Sequence, residues 1–230
     1  MKLSVIIPCY NAGLYLAQAV SSIRKQQTSF SLITEIIVID DGSTDGCVEH
    51  LQGSDLKILH QDHQGASAAR NYGMKEATGD YLLFLDADDV LVNDAIELLY
   101  QKLMQKENTA VALGMAEEFI SEEIDAKTAA ELPKKEVPFG AFLSGCCFGK
   151  KEELLKVGFF DTTLNQAGET VDYLARLRNS GLSVVQLDKV TVRRRIHLTN
   201  SGRVLMQGQM QDYATIIRRR LLAQRMSNKK

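Results

Sequence analysis

The chain reads as an α/β domain whose mainly parallel central sheet is covered by helices on both faces. Three observations predict this. Short apolar, β-branched runs alternate with helical patterns through the first half of the chain. The first run is continuously apolar, as a strand covered on both faces requires. Polar clusters then follow three of the runs: Tyr10-Asn11, Asp40-Asp41 and Asp86-Ala87-Asp88-Asp89. In open parallel sheets ligands sit beyond the carboxyl ends of the strands, so three clusters on one rim imply one site.

Each element has its own justification. Residues 3–8 form the first apolar run, and residues 13–27 carry Leu16, Ala19, Val20 and Ile23 at helical spacing. Residues 35–39 are a second β-branched run ending in Asp40-Asp41-Gly42-Ser43, which reads as a turn with Ser43 or Thr44 capping a helix. Residues 56–59 are a weaker third strand. Residues 65–77 are an Ala-rich helix with Gly73 inside it, and a mid-helix Gly costs about 1 kcal/mol against Ala, which marks a close approach. Residues 81–85 are a fourth strand, and Asn93 caps a helix reaching about Lys106. The second half is less regular. A strand is expected over 109–118, a polar loop with a short helix over 121–138, and a small apolar stretch over 139–148. Helices follow over 151–157 and 168–179, strands over 182–186 and 190–193, and a final amphipathic helix over 203–226 with Met206, Met210, Tyr213, Ile217 and Leu221 on one stripe.

Bulk properties exclude several classes. The 230 residues are 45% hydrophobic and 24% charged, ordinary for a globular chain able to bury a full core. A net charge of −2 supplies no basic field for nucleic acid, so no nucleic-acid partner is expected. No apolar run reaches the roughly 20 residues of a membrane span, and the first residues lack a signal-peptide core. Cys9, Cys47, Cys146 and Cys147 show no metal-finger spacing and read as reduced thiols, which places the chain in the cytoplasm. Cys146 and Cys147 are neighbours that do not bridge, and Cys9 reads as filler.

Residue chemistry then narrows the function. Asp86 and Asp88 stand two apart at a strand end, where carboxylates suit Mg²⁺ or Mn²⁺ shared with substrate phosphates. The plainer reading is an acidic loop capping the next helix. Asp40 and Asp41 can accept from a base imide or ribose hydroxyls, or simply build a turn. Tyr10 can stack on a base, and Asn11 can hold its loop through an Asx turn. Arg70, near a helix start, can contact a phosphate or lock an acidic loop. His50, His60 and His63 show no cluster spacing and read as surface or packing residues.

Together these pieces resemble the family 2 glycosyltransferases. The resemblance rests on Ser4-Val5-Ile6-Ile7-Pro8-Cys9-Tyr10-Asn11, Val38-Ile39-Asp40-Asp41-Gly42-Ser43-Thr44-Asp45, Ala68-Ala69-Arg70-Asn71-Tyr72-Gly73 and Leu85-Asp86-Ala87-Asp88-Asp89, in that order. It implies the GT-A fold, a Rossmann-like sheet flanked by helices, as a single domain over 1–230. Its nucleotide-sugar half is 1–106, its acceptor half 107–202, and 203–230 is a C-terminal helix with a basic tail. It implies a nucleotide-diphosphate-sugar donor, a UDP-sugar most typically, a divalent metal, and inverting transfer to a sugar or lipid-linked acceptor in cell-surface polysaccharide or glycoconjugate synthesis. Pro8, Tyr10, Asn11, Asp40 and Asp41 would hold the nucleoside. Arg70 would approach the donor, Asp86 and Ala87 would face ribose and sugar, and Asp88 with Asp86 would serve the metal.

The second half resembles the family more loosely. Many relatives carry Gly-Glu-Asp, the Asp acting as general base, whereas this chain has Gly168-Glu169-Thr170-Val171-Asp172. Glu169, Asp172 and Arg176 recur on one helical face, so Glu169 or Asp172 is the substitute base, with Val171, Leu174 and Leu177 packing inward. The segment Arg193-Arg194-Arg195-Ile196-His197 resembles one that closes over the diphosphate, with His197 a donor to phosphate or a metal ligand. Thr170 keeps open a different class: a donor-binding homologue, catalytically weak, acting as a regulatory or scaffold subunit. A nucleotidyltransferase is disfavoured because no Gly-rich phosphate loop follows the first strand. On the last helix Arg218, Arg219, Arg220 and Arg225 make a basic side continued by Lys229 and Lys230. The favoured reading is a helix packed on its own domain; peripheral contact with the inner membrane face or with a partner protein is the alternative.

Overall fold

The computed structural model describes residues 1–140, 144–164, 168–200 and 211–219. Its first half runs β1 (Lys2–Cys9), α1 (Tyr15–Arg24), β2 (Ile33–Asp40), β3 (Leu56–His60), α2 (Ala66–Glu76), β4 (Tyr81–Phe84), β5 (Val90–Leu91) and α3 (Ala95–Met104). The remainder runs β6 (Thr109–Ile120), α4 (Ala126–Glu131), β7 (Phe139–Gly140), a 3-10 turn at Ser144–Cys146, β8 (Cys147–Lys150), α5 (Lys151–Val157), α6 (Gly168–Asn179) and β9 (Ser183–Ile196). A further helical segment covers 211–219.

One sheet runs through both halves in the order β3-β2-β1-β4-β8-β6-β9-β5, with β7 paired to β6. The long ladders, β1 to β2, β2 to β3 and β6 to β9, are parallel. The antiparallel ones, at β8, β7 and β5, are short. Side chains alternate across the sheet. Leu3, Val5 and Ile7 of β1 face the helices α1 and α3, through Leu16, Val20, Ile23, Ile96 and Leu99. Ile6 faces the other way, with Ile37, Ile39 and Phe84, toward α2, α5 and α6. Both faces are covered, which is why the strands need no polar alternation.

Gly73 explains itself here. A Cβ at this position would lie 2.5 Å from Ile6 Cγ2 and 2.8 Å from Ile39 Cδ1, so α2 sits against the sheet at a distance only Gly allows. Several expectations are corrected. No helix follows Ser43 or Thr44: residues 41–51 are turns, because Ser43 and Thr44 spend their polar groups on Asn11 and Asp40 instead of on a helix start. Asn93 does not cap α3; the N-cap is Asp94 without a side-chain bond, and the Gln26 side chain accepts from the Ile96 N–H at 3.0 Å. The two late strands are one, β9, continuous through the polar Asp188-Lys189 step because its register on β6 shifts there. The two-residue β5 was not anticipated, being too short for a periodicity signal.

The apolar stripe predicted for the last helix also differs where it is described. Asp212 and Ile216 are buried, while Ile217 is exposed and Tyr213 only partly covered. The segment docks through Arg219 to Asp161 at 2.5 Å and through Asp212, which accepts the Gly168 N–H at 3.3 Å. Met206, Met210, Arg220, Leu221, Arg225, Lys229 and Lys230 lie outside the described residues. No helix among the described residues is long and apolar enough to cross a membrane.

Candidate active site

The carboxyl ends of β1, β2, β3 and β4 bring the sequence clusters to one edge. Cys9 pairs with Asp40 in register, Asp40 pairs with His60, and the chain leaves β4 at Leu85 just before Asp86.

At one end of this edge, Tyr10 is half exposed and stacks on His63 with ring centroids 4.1 Å apart. Asn11 takes a left-handed conformation, which Asn tolerates well. It makes no Asx turn. Its N–H donates to Ser43 Oγ at 3.0 Å and its side-chain oxygen accepts from the Thr44 N–H at 2.8 Å, clipping the first loop to the second. Pro8 is buried within β1 opposite Ile39, one residue short of the open rim.

The two carboxylates that end β2 do different things. Asp40 accepts from the Ser43 N–H at 2.9 Å and contacts His60 Nδ1 at 3.0 Å. Burial pushes its carboxyl up, but the bonds from Ser43 and His60 outweigh that and hold it below the ordinary carboxylate value. Asp41 is 2% exposed and structural: it accepts from Gln61 Nε2 and from the Gln64 and Gly65 N–H groups at 2.7–2.8 Å, and pairs with His63. It thereby ties down the turn into α2. His60 and His63 are exposed, as expected of surface residues, and each also contacts a carboxylate at the end of β2. The hint of these contacts was their place at and just after the end of the third strand.

The acidic loop is held from two sides. Arg70 is buried on α2 and donates to Asp86 Oδ1 at 2.8 Å and to Glu169 Oε1 at 3.2 Å. Nearby carboxylates raise its pKa against the opposing effect of burial. Its neighbour Asn71 clamps the backbone of Phe160 in both directions, at 2.9 and 2.8 Å, and Phe160 lies under the Arg70 guanidinium. The Ala68–Gly73 motif therefore locks the loop and docks the 159–161 segment with adjacent residues. On the other side Asp88 Oδ2 meets His197 Nε2 at 2.9 Å and Asn200 Nδ2 at 3.3 Å. Arg195 grips the same loop through its Nε to the Asp88 carbonyl at 2.9 Å, and its backbone N–H donates to Asp89 at 2.9 Å. Ala87 is buried in the core, so only its backbone remains for a ligand. Asp89 is 3% exposed, and burial beside Asp88 and Asp86 pushes its carboxyl well above the ordinary value.

The basic stretch does not converge as a unit. Arg193 pairs with Glu117 and Arg194 with Glu118, each at 3.0 Å, across the β6–β9 ladder. Arg195 is sandwiched between Tyr15 and Phe119. Of this stretch Arg195 and His197 reach the acidic loop, Arg195 through the Asp88 carbonyl and Asp89, His197 through the Asp88 carboxylate. The His197 ring also contacts Tyr15, and its Nδ1 meets Thr199 Oγ1 at 2.9 Å.

Glu169 and Asp172, three residues apart on α6, meet different surroundings. Glu169 falls on the buried stripe of α6 with Thr170, Tyr173, Leu174 and Leu177, and Val171 is only partly covered. The helix turns its buried side by one residue from the expected one because Tyr173 stacks on Phe160 at 4.2 Å. Glu169 joins Arg70, leaving its Oε2 buried without a partner. Asp172 instead pairs with Arg176 at 2.7 Å, and Arg176 is tied to the carbonyls of Val157 and Phe159.

A divalent cation fits this set on chemical grounds. Asp88 Oδ2 and His197 Nε2 approach one another with a carboxylate oxygen and an imidazole nitrogen. Among the described residues no group of three His, Cys, Asp or Glu could hold a metal alone. Two protein ligands completed by phosphate oxygens is the usual Mg²⁺ arrangement.

The sequence model of glycosyl transferase family 2 matches residues 4–153. Glycosyltransferase GlyG of Streptococcus pneumoniae is 39% identical over 115 residues, 47% of this chain and 37% of that protein. The minor teichoic acid biosynthesis protein GgaA of Bacillus subtilis is 32% identical over 118 residues, 48% of this chain and 26% of that protein. The chain thus spans well under half the length of these relatives. Staphylococcus aureus TarS 1–349 in complex with UDP-GlcNAc superposes with a TM-score of 0.65 at 21% identity, over 88% of this chain and 61% of that one. Its complex with UDP gives 0.64 at 21% identity, over 92% and 65%. At this identity the likeness is one of fold, and the fold is GT-A.

Proposed function

The chain belongs to glycosyl transferase family 2, and on that premise we propose that it moves a sugar from a UDP-sugar to an acceptor hydroxyl with inversion at the anomeric carbon. The observation that carries this reading is the acidic loop itself. Asp86 is fixed by Arg70 and Asp88 by His197 and Asn200, at the strand edge that also presents Tyr10, His63 and Asp40. The UDP and UDP-GlcNAc bound to TarS support a uridine donor. The similarity to GgaA, a minor teichoic acid biosynthesis protein, supports an acceptor belonging to a cell-surface polymer.

In this mechanism Tyr10 and His63 form the platform on which the base stacks, and Asp40 accepts from the base imide. Asp86, held by Arg70, orients ribose and sugar. Asp88 and His197 would hold Mn²⁺ or Mg²⁺, which supplies neutralising charge to the departing diphosphate. Glu169 is the candidate general base: Arg70 links it to Asp86, and its Oε2, buried without a partner, is the oxygen that would take the acceptor proton once the acceptor opens a path to it. Asp172 is the weaker candidate, since Arg176 engages it away from this cluster.

Thr170, which stands where the resemblance puts the general base, favours a second reading, a homologue that binds donor but turns it over poorly. Thermal unfolding with UDP, GDP or dTDP, each with and without Mn²⁺, tests the donor site. A ligand at about 100 times its Kd adds about 2.7 kcal/mol. A shift is expected with UDP and Mn²⁺ that Asp88→Asn abolishes; no shift with any nucleotide rejects the donor site. Loss of turnover in Glu169→Gln with nucleotide binding kept assigns the base. Nucleotide binding without turnover of any sugar favours the second reading.

A further inference from the structure

Cys9 and Cys47 lie 38 residues apart in sequence, yet their Sγ atoms are 3.4 Å apart. Cys9 ends β1 and is 1% exposed; Cys47 sits in the 41–51 turn and is only partly covered. The Cys47 backbone N–H is fixed by Asp45 Oδ1 at 3.1 Å, and Asp45 Oδ2 accepts from the Gly13 N–H at 2.8 Å. The turn is also fastened to the first loop by hydrogen bonds among Asn11, Ser43 and Thr44 and by the Asp41 N–H to the Cys9 carbonyl at 2.8 Å, and Val48 and Leu51 pack on the core beside it. A disulfide needs an S–S distance of about 2.05 Å, so closure asks for an approach of roughly 1.4 Å.

We infer that Cys9 and Cys47 are a reversible oxidation site, closed to an intrachain disulfide by a small-molecule disulfide oxidant. Cys47 is the reachable sulfur and attacks first. Its thiolate displaces one thiolate from the oxidant and forms a mixed disulfide. Cys9 then loses its proton, attacks the Cys47 sulfur and expels the second thiolate. Two protein thiols and one oxidised disulfide become one protein disulfide and two small thiols. The order follows from burial, which pushes the Cys9 thiol up, as does the neighbouring Cys47, so Cys9 is the second nucleophile. Cytosolic disulfides are characteristically of this transient, redox-responsive kind. The product staples the turn below Ser43 and Thr44 to β1 and closes a long loop. The inference stands on the thiol geometry alone and is independent of the sugar-transfer reading.

The test uses the full chain treated with oxidised glutathione, quenched in acid, alkylated after denaturation and mapped by peptide mass. The expected result is one cross-link joining the Cys9 and Cys47 peptides, with Cys146 and Cys147 still alkylated. Closing a loop of this length should raise the melting temperature by roughly 5–15 °C, reversibly with dithiothreitol. Cys47→Ser and, separately, Cys9→Ala should lose both the cross-link and the shift. Full alkylation of Cys9 and Cys47 after native oxidation overturns the inference. So does a lasting glutathione adduct on Cys47 without closure, or a cross-link elsewhere.

Discussion

Removing the Arg70 guanidinium tests how the candidate site is held together. In Arg70→Met the hydrophobic stem is kept while both ion pairs are lost. The two partners respond differently. Asp86 has a side chain 30% exposed and can be rehydrated, whereas Glu169, at 9%, is left as a buried charge without a partner. Breaking a buried pair from one side costs about 3–5 kcal/mol. Because one of the two partners recovers water, the lower end, about 3 kcal/mol, is expected. For a chain of this size that lowers the melting temperature by roughly 6–12 °C. Urea unfolding gives the free energy, and a thermal melt gives the shift. The cycle is completed with Arg70→Met/Glu169→Gln, which removes the stranded charge. The double variant should recover at least about 1 kcal/mol over the single one. A single-variant loss under about 1 kcal/mol, or a double variant no more stable than the single, would refute the claim that this triad is a buried electrostatic lock.

Two other outcomes follow from the structure. Gly73→Ala should destabilise by about 1–3 kcal/mol in urea, because the added Cβ falls 2.5 Å from Ile6 Cγ2 and α2 must lift from the sheet. In Asp40→Asn the charge-assisted bonds from Ser43 and His60 are weakened, at a cost of about 1.5 kcal/mol at pH 7. The folded carboxyl lies below its unfolded value, so this stability is fully present above about pH 4 and is lost as pH falls through the folded value. The gap between wild type and variant, measured by urea unfolding at pH 7 and pH 3, should therefore close at the lower pH.

The legible part of the site was the part written in contiguous motifs. Tyr10, Asp40, Asp86 and Asp88 follow directly on apolar runs, and a strand's carboxyl end can be read from where its run stops. Arg70 was legible as a helix-start cation with two possible partners; only packing decided for the acidic loop over a phosphate, by burying the guanidinium between Asp86 and Glu169. The contacts of His60 and His63 were not legible because their partners, Asp40 and Asp41, lie 20 and 22 residues earlier, across the β2–β3 register. The helical face of Glu169 was misjudged by one position, since periodicity gives a stripe but not which of its edges meets Phe160.

The sequence by itself determined the α/β class, the strand-end placement of the acidic residues and the need for Gly at position 73. All three follow from local chemistry: β-branched runs, turn-forming carboxylates and a small residue on a buried helix face. Tertiary structure alone decided that His197 and Asn200 come back to Asp88 from 109 and 112 residues away. It also decided that Arg193 and Arg194 are spent on Glu117 and Glu118, and that the thiols of Cys9 and Cys47 meet. These contacts depend on the β6–β9 register and on how the 41–51 turn folds against β1. Neither leaves a periodic signature, because long-range register is set by packing of the whole sheet rather than by any segment of it.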